Sequence, residues 1–212
     1  MAKTSTITEM DLTSGVACLD FVNTGLNFDL PVERLHTYAD LVVLIERLSL
    51  LDTGALAELR RLAAANPGQA EHVLQQARKV RGAMTTVVAA LVERHIGQVD
   101  AQTLAFFNSA IQEALAARGF MPIADQLVLS WLPPAVDLRL AIWVFSLSAY
   151  ELLLNQDQTL IKPCGACAWF FLDQTKNHRR KWCDMQTCGT HQKARRYYQR
   201  KKQLPPEQGA AA

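Results

Sequence analysis

Four of the chain's five cysteines lie within 25 residues near the C-terminus, with the spacing Cys164-x2-Cys167-x15-Cys183-x4-Cys188. Two pairs of thiols at this spacing are typical of a tetrahedral metal site, because a Cys-x2-Cys turn aims two sulfurs at one ion. We therefore predict that one structural Zn²⁺ binds these four side chains. A module of about 40 residues buries too little surface to fold alone, so the metal would be its main stabiliser.

Other uses of these residues are weaker. A redox site at Cys164 and Cys167 would call for a βαβ context, which the surrounding sequence lacks. His178 or His191 could replace one cysteine as a ligand. Since four cysteines already complete the shell, we interpret His178 as a turn residue and His191 as a helix residue near the site. The fifth cysteine, Cys18, lies in an apolar segment and is predicted to be a buried thiol.

The segments between the cysteines predict a small fold around the metal. Residues 169–172 and 179–182 have the composition of two strands, which we expect to pair across a turn. Residues 190–202 contain neither Gly nor Pro and predict a helix. A metal-binding turn, a hairpin and a helix whose first turn supplies a ligand form a treble-clef arrangement. The start of a helix also suits a thiolate, because its free amides stabilise negative sulfur.

Apolar spacing predicts a mainly helical N-terminal part. Helices are expected at 37–50, from an N-cap at Asp52 or Thr53 to a break at 66–68, at 69–95, from Asp100 to 119, and at 136–154. The last of these is apolar almost all round and should be the central one. Leu104, Phe107, Ile111 and Leu115 are the expected buried stripe of the helix after Asp100. Residues 120–124 and 127–132 predict a β-hairpin, and residues 16–24 fit either a strand or a helix.

These elements predict an α+β fold: a mainly α-helical N-terminal domain with a small β component, then a treble-clef-like zinc finger. The expected boundaries are 1–157 for the first domain, 158–204 for the finger and 205–212 for a disordered tail. No signal-like start and no long uncharged apolar run is present in the sequence. We therefore expect a cytoplasmic protein that does not enter a membrane.

The charge is distributed unevenly. Residues 162–202 carry eleven Lys or Arg and two Asp, a net charge of +9, whereas the rest of the chain carries −7. Four thiolates on one Zn²⁺ would leave about +7 on the finger, still a strong field for a polyanion. Nucleic acid is the predicted partner, with double-stranded DNA favoured. The candidate contacts are Lys176, Arg179, Arg180, Lys181, Lys193, Arg195, Arg196, Arg200, Lys201 and Lys202.

Two alternatives to DNA binding follow from the same residues. Tyr197 and Trp182 could stack on exposed bases, which would favour RNA or single strands. The basic finger could also be an interaction adaptor that binds an acidic protein, including the acidic domain of a second copy in a homodimer. An enzyme is the weakest class. The histidines are scattered, and no nucleophile motif or Gly-rich phosphate loop is present in the sequence, so we expect no enzymatic activity.

Two stretches carry a resemblance to a known family. One is Cys18-Leu19-Asp20-Phe21-Val22-Asn23-Thr24; the other combines Cys164-Gly165-Ala166-Cys167, Trp169 to Asp173, Arg179 to Met185 and Cys188-Gly189. The chain resembles bacterial proteins with an N-terminal ABATE domain and a C-terminal CGNR-type zinc finger, described as stress-induced transcription regulators. At the last ligand, Thr190-His191 stands where that family typically has Asn-Arg.

The resemblance implies a mixed helical and β domain that senses a small effector. Within the first stretch, Asp20, Asn23 and Thr24 could line a polar pocket for such a ligand. The commoner role of residues of this type is to satisfy helix caps and turns. The sequence thus predicts a two-domain transcription regulator, and both interpretations of these three side chains stay open at this stage.

Overall fold

The computed structural model describes residues 6–26, 32–132 and 136–203. Within these ranges it contains seven α-helices and two small antiparallel sheets. The helices are α1 (Ala17–Asn23), α2 (Tyr38–Arg47), α3 (Thr53–Ala65), α4 (Pro67–Val92), α5 (Ala101–Ala116), α6 (Leu140–Asn155) and α7 (Thr190–Gln203). The strands are β1 (Arg118–Ile123), β2 (Gln126–Trp131), β3 (Ile161–Pro163) and β4 (Phe170–Leu172). This architecture confirms the predicted α+β class.

Side-chain caps fix the start of three helices. Thr37 and Asp40 form a reciprocal capping box at α2, and the Asp52 carboxylate accepts the Ala55 N–H at 2.9 Å at the start of α3. Asp100 caps α5 in the same way. At α4 the predicted range 69–95 begins two residues late and ends three residues late, since the helix spans Pro67–Val92 and Pro67 occupies its first turn. Proline is tolerated there since the first N–H groups of a helix have no partner within the helix.

Helix α6 lies at the centre of the core, as predicted, and residues on all sides of it are buried. Its Phe145 stacks on Phe21 of α1 with ring centroids 4.3 Å apart. Residues 16–24, left open between strand and helix, therefore contain a helix. Residues 18–23 are all buried, and this continuous burial hides the helical period.

The predicted buried stripe of α5 is only half correct. Phe107 and Ile111 are buried, but Leu104 and Leu115 are each 40% exposed. Ala110 and Ala114 take the inward positions instead. The helix is apolar on more than one face, so the spacing of large residues did not reveal which face packs on the core.

The predicted hairpin after α5 is confirmed, as β1 and β2. A two-residue turn, Ala124-Asp125, joins the strands, with Ile123 opposite Gln126 and Ala124 at a φ of 52°. At its base, Trp131 stacks on Trp143 of α6 with ring centroids 6.0 Å apart. Across the three described ranges, every helix is too short or too polar to cross a bilayer.

The pairing predicted inside the finger is wrong. Strand β4 pairs with β3, which places Ile161 opposite Leu172, and residues 179–182 form no strand. The backbone N–H of Arg180 instead donates to the Asp173 carboxylate at 2.9 Å. A buried carboxylate has taken this donor, so it is not available for a strand ladder. The expected tail, residues 205–212, lies outside the described residues.

Candidate metal centre and nucleic-acid interface

The four sulfurs of Cys164, Cys167, Cys183 and Cys188 converge on one point. All four Sγ atoms lie within 4.8 Å of one another, and the Cys167–Cys183 and Cys183–Cys188 pairs are each separated by 3.6 Å. Zn–S bonds of ~2.3 Å in a tetrahedron set neighbouring sulfurs ~3.8 Å apart. The cluster therefore fits one tetrahedral zinc ion, and its four members are the cysteines predicted from their spacing. Neither His178 nor His191 belongs to it in the described part of the chain.

The first two ligands lie on a tight turn at the end of the β3–β4 hairpin. The Cys164 N–H donates to the Trp169 carbonyl at 2.7 Å, and the Gly165 N–H donates to the Lys181 carbonyl at 3.1 Å. A side chain at Gly165 would place its Cβ 2.8 Å from the Trp182 ring. Glycine is required because the indole packs directly on the metal-binding turn. Trp182 is accordingly half-buried, with one part of its ring covered by the protein.

The last ligand lies at the start of α7. Asp184 accepts the Thr187 N–H at 2.7 Å and caps a π-helical turn, Met185–Gly189, that carries Cys188. Helix α7 follows directly from this turn. The predicted combination of metal-binding turn, hairpin and ligand-bearing helix is present, although β3 rather than 179–182 supplies the second strand.

Asp173 organises the loop between the two ligand pairs. Its fully buried carboxylate accepts bonds from the Lys162 ammonium at 2.6 Å, the Thr175 hydroxyl at 2.6 Å and the Arg180 amide. Burial alone would raise the pKa of Asp173, but these donors outweigh it and hold the pKa far below its usual range. Local spacing gave no sign of this role. The structure also confirms His178 as a turn residue, at a φ of 47°.

The thiols interact strongly with one another. The pKa of Cys164 is lowered by a hydrogen bond with Cys167 and by a further one with Cys183. The hydrogen bond between Cys164 and Cys167 raises the pKa of Cys167. Four thiolates this close repel one another unless a cation lies between them. A dication removes that cost, and Zn²⁺ is the ion that four thiolates at this geometry favour. Cys18 behaves differently, since burial raises its pKa to about 12.

The structure separates the ten predicted nucleic-acid contacts into three groups. The side chains of Lys176, Arg179, Lys181, Lys193 and Arg195 are exposed. Arg180 is half-buried: its guanidinium donates to the Trp182 carbonyl at 2.9 Å and to the Cys183 carbonyl, and it lies 4.8 Å from the centroid of the Phe171 ring. The side chains of Arg196, Arg200, Lys201 and Lys202 lie outside the described residues, although their backbone belongs to α7.

The finger is joined to the helical domain along the outer edge of β4. The Asn23 amide donates to the Phe170 carbonyl, and the Phe170 N–H donates to the Asn23 side-chain oxygen, both at 2.9 Å. The Leu172 N–H donates to the Ser14 carbonyl at 2.8 Å. These contacts take the place of a third strand. The sequence did not reveal this edge, because its partners are 147 positions apart at Asn23 and Phe170.

The three residues predicted to bind an effector are buried beside this edge. Asn23 bonds Phe170 as described, and Thr24 donates to the Phe21 carbonyl and accepts from the Arg81 guanidinium. Asp20 accepts the Ser14 N–H at 3.2 Å, and burial raises its pKa to about 6. A nearby apolar cavity, lined in part by Cys18 and Phe107, measures about 10 Å³, the space of one water-sized sphere.

Comparison with known families agrees with the geometry. Residues 161–201 match the CGNR zinc finger, and residues 15–156 match the ABATE family, described as "Putative stress-induced transcription regulator". No curated protein matches the sequence significantly. The second match spans well over half of the chain. The protein therefore belongs to the ABATE family and carries a C-terminal CGNR zinc finger.

Proposed function

We propose that this protein regulates transcription by binding double-stranded DNA through the basic surface of its zinc finger. The observation that carries the proposal is the exposure of Lys176, Arg179, Lys181, Lys193 and Arg195 within a segment of net charge +9. Exposed cations held on a metal-stabilised scaffold are the ordinary means of neutralising phosphates. The acidic remainder of the chain repels the same polyanion, so contact would be confined to the finger.

The zinc ion would act here as a scaffold. It holds the 173–182 loop and the start of α7 together, so that two groups of cations, one on the loop and one on the helix, lie on a single small module. Phosphate contacts of this kind supply affinity and position, whereas base contacts supply sequence preference. Thr190 and His191, which stand where the family typically has Asn-Arg, are the positions at which we expect this chain's preference to differ.

A salt titration tests the electrostatic part of the proposal. We would measure binding of a labelled 20-base-pair duplex by fluorescence anisotropy between low and moderate salt, with zinc-loaded protein. The observed binding constant should fall with a logarithmic slope of about −0.9 for each phosphate neutralised. The five exposed cations predict a slope of about −4 to −5. The double variant Lys193→Glu/Arg195→Glu should reduce the steepness by about 2.

A matched control uses the helical domain. Lys79 and Arg94 are exposed there, so Lys79→Glu/Arg94→Glu makes the same charge change away from the finger and should leave the slope nearly unchanged. A flat salt dependence, or equal losses in the two double variants, would contradict binding through the finger. Tighter binding of a single-stranded RNA of equal length would instead favour the RNA alternative.

The interaction adaptor is the rival function, and the same +9 charge favours it. An acidic protein partner would survive nuclease treatment in a pull-down with the full chain, whereas nucleic acid and anything bound through it would be lost. We propose a regulator rather than an enzyme because the described buried polar residues at α1 bond to the protein itself, as Asn23 does to Phe170.

Effector sensing by the helical domain remains a proposal taken from the family resemblance. Asp20, Asn23 and Thr24 already have partners in the protein, so a ligand that engaged Asn23 would have to break its two bonds to Phe170. Such a ligand would loosen the finger at the edge of β4. Ligand binding at α1 would in this way affect the zinc finger. The test is calorimetric titration of candidate ligands into wild-type protein and into Asn23→Ala.

A further inference from the structure

The β1–β2 hairpin exposes several large apolar side chains that the rest of the described fold leaves uncovered. Phe120 is 67% exposed, Leu127 is 71% exposed and Leu129 is 45% exposed. The register pairs Phe120 with Leu129, and side chains two residues apart on a strand share a face, so these three form one apolar plate. Ile123 and Val128 add exposed surface on the opposite face.

The hairpin is also an incomplete sheet. It has two strands, and neither outer edge pairs with another strand anywhere in residues 6–26, 32–132 or 136–203. An isolated two-stranded hairpin is marginally stable in water, and an open edge is a template for another strand. A sequence that places leucines on such an edge without a covering partner invites aggregation, so a specific partner is expected.

The two edges differ in what they can accept. The two-residue turn makes Ile123 and Gln126 the closing hydrogen-bonded pair, so alternate residues direct their N–H and C=O groups outward. On β1 one of these residues is Pro122, which has no N–H and therefore cannot donate a hydrogen bond to a further strand at that edge. On β2 they include Leu127 and Leu129. The Leu129 carbonyl accepts a 3.3 Å bond from Arg118, which leaves the Leu127 end of the edge open.

From this we propose that the protein forms a two-fold dimer in which the β2 edges of two copies pair antiparallel about an axis beside Leu127, giving one four-stranded sheet. The occupant is a second copy because β2, Gln126–Trp131, contains no charged residue. Symmetric pairing therefore places no like charges opposite each other. An isologous contact of this kind closes upon itself, which limits the assembly to two chains.

The exposed area is of the size that a dimer needs. Taking ~200 Å² for a large apolar side chain, the exposed parts of Phe120, Ile123, Leu127, Val128, Leu129 and the adjoining Leu132 amount to roughly 600 Å². A standard specific interface buries about 800 Å² per partner. The apolar plate supplies roughly 370 Å² of this area, and the opposite face with Leu132 supplies the rest. Pairing at the β2 edge extends both faces of the hairpin into the partner, so the two faces together account for most of such an interface, and the surrounding polar groups of the hairpin would supply its rim.

The first test measures mass in solution by sedimentation equilibrium over a range of concentrations, with zinc-loaded full-length protein. Wild type should be dimeric at micromolar concentration. Leu127→Asp should raise the dimer dissociation constant by at least about 100-fold, because both copies lose an apolar contact and gain a charge. Leu154→Asp is the matched control: Leu154 is 63% exposed on α6, and its replacement should leave the dimer intact.

The second test locates the two-fold axis of the dimer by disulfide cross-linking. Residues in a hydrogen-bonded antiparallel pair have Cα atoms about 5.5 Å apart, within the range that a disulfide spans. Leu127→Cys should form a covalent dimer under mild oxidation, and Leu154→Cys should not. A wild-type monomer throughout the concentration range, a dimer unaffected by Leu127→Asp, or equal cross-linking at both positions would each overturn the proposal. Unchanged circular dichroism of Leu127→Asp would exclude misfolding as the cause of a monomer.

Discussion

The two hydrogen bonds between Asn23 and the Phe170 backbone provide the sharpest test of how the finger is held. In Asn23→Ala the Phe170 N–H and C=O both lose their partner at a site where Asn23 is fully buried and Phe170 is only 8% exposed. An unsatisfied buried backbone group costs about 1–3 kcal/mol. The variant should therefore lose about 2–5 kcal/mol of unfolding free energy, a large part of the stability of most domains.

The assay is urea denaturation followed by circular dichroism and by tryptophan fluorescence, at a fixed excess of zinc so that metal binding contributes equally to both proteins. Asn108→Ala is the matched control, because Asn108 is exposed on α5; its effect should stay within about 0.5 kcal/mol. Hydrogen exchange adds a local measurement. The amides of Phe170 and Leu172 should lose protection in Asn23→Ala, while those of α4 should change less.

The reasoning would be refuted by an Asn23→Ala variant that matches the control in both stability and exchange. Asn23→Asp provides a further check, because it keeps the shape of the side chain but replaces the donor with an oxygen that faces the Phe170 carbonyl. This variant should be at least as unstable as Asn23→Ala at neutral pH. It should recover as the pH is lowered, since protonation restores a donor.

Three further predictions concern the metal, a buried acid and a glycine. Purified protein should contain one zinc per chain by elemental analysis. Cys188→Ser or a strong chelator should remove the zinc and expose the Phe170 and Leu172 amides to hydrogen exchange, because the metal stabilises small modules of this kind by roughly 10–16 kcal/mol. Burial raises the pKa of Asp20 from 3.8 to about 6, so between these pH values the folded protein binds more protons than the unfolded chain. The free energy of unfolding should therefore fall by about 3 kcal/mol as the pH rises through this window. Thermal melts of Asp20→Asn over the same pH series should lack that fall. Gly165→Ala should lower zinc affinity, measured by competition with a chromogenic chelator, because its Cβ would lie 2.8 Å from the Trp182 ring; Gly68→Ala, where no atom lies within 4 Å, is the control.

Local signals in the sequence were sufficient for several elements. Asp52 and Asp100 precede apolar helices and cap them. The Asp125-Gln126 break between two apolar runs predicted the hairpin, although the turn lies one residue earlier, at Ala124-Asp125. The metal site was also predictable from the spacing of the four cysteines, because the metal determines that spacing and the rest of the fold does not.

Features that depend on distant partners were not predictable in the same way. The strand predicted at 179–182 had suitable composition, yet the buried Asp173 carboxylate takes the Arg180 amide and β3 takes the place beside β4. Arg180 was counted among surface cations, although its guanidinium bonds backbone carbonyls of the finger. Composition shows that a side chain is charged, but it does not show which carbonyls will surround it.

The bonds between Asn23 and the outer edge of β4 have a thermodynamic consequence for the whole protein. Coupling between two sites is reciprocal. If zinc binding stabilises the present conformation of α1 by some free energy, a molecule that changes this conformation weakens zinc binding by the same free energy. Cellular zinc supply and any signal received by the N-terminal helices would then act on a common equilibrium. Depletion of the metal would be expected to mimic, or to oppose, that signal.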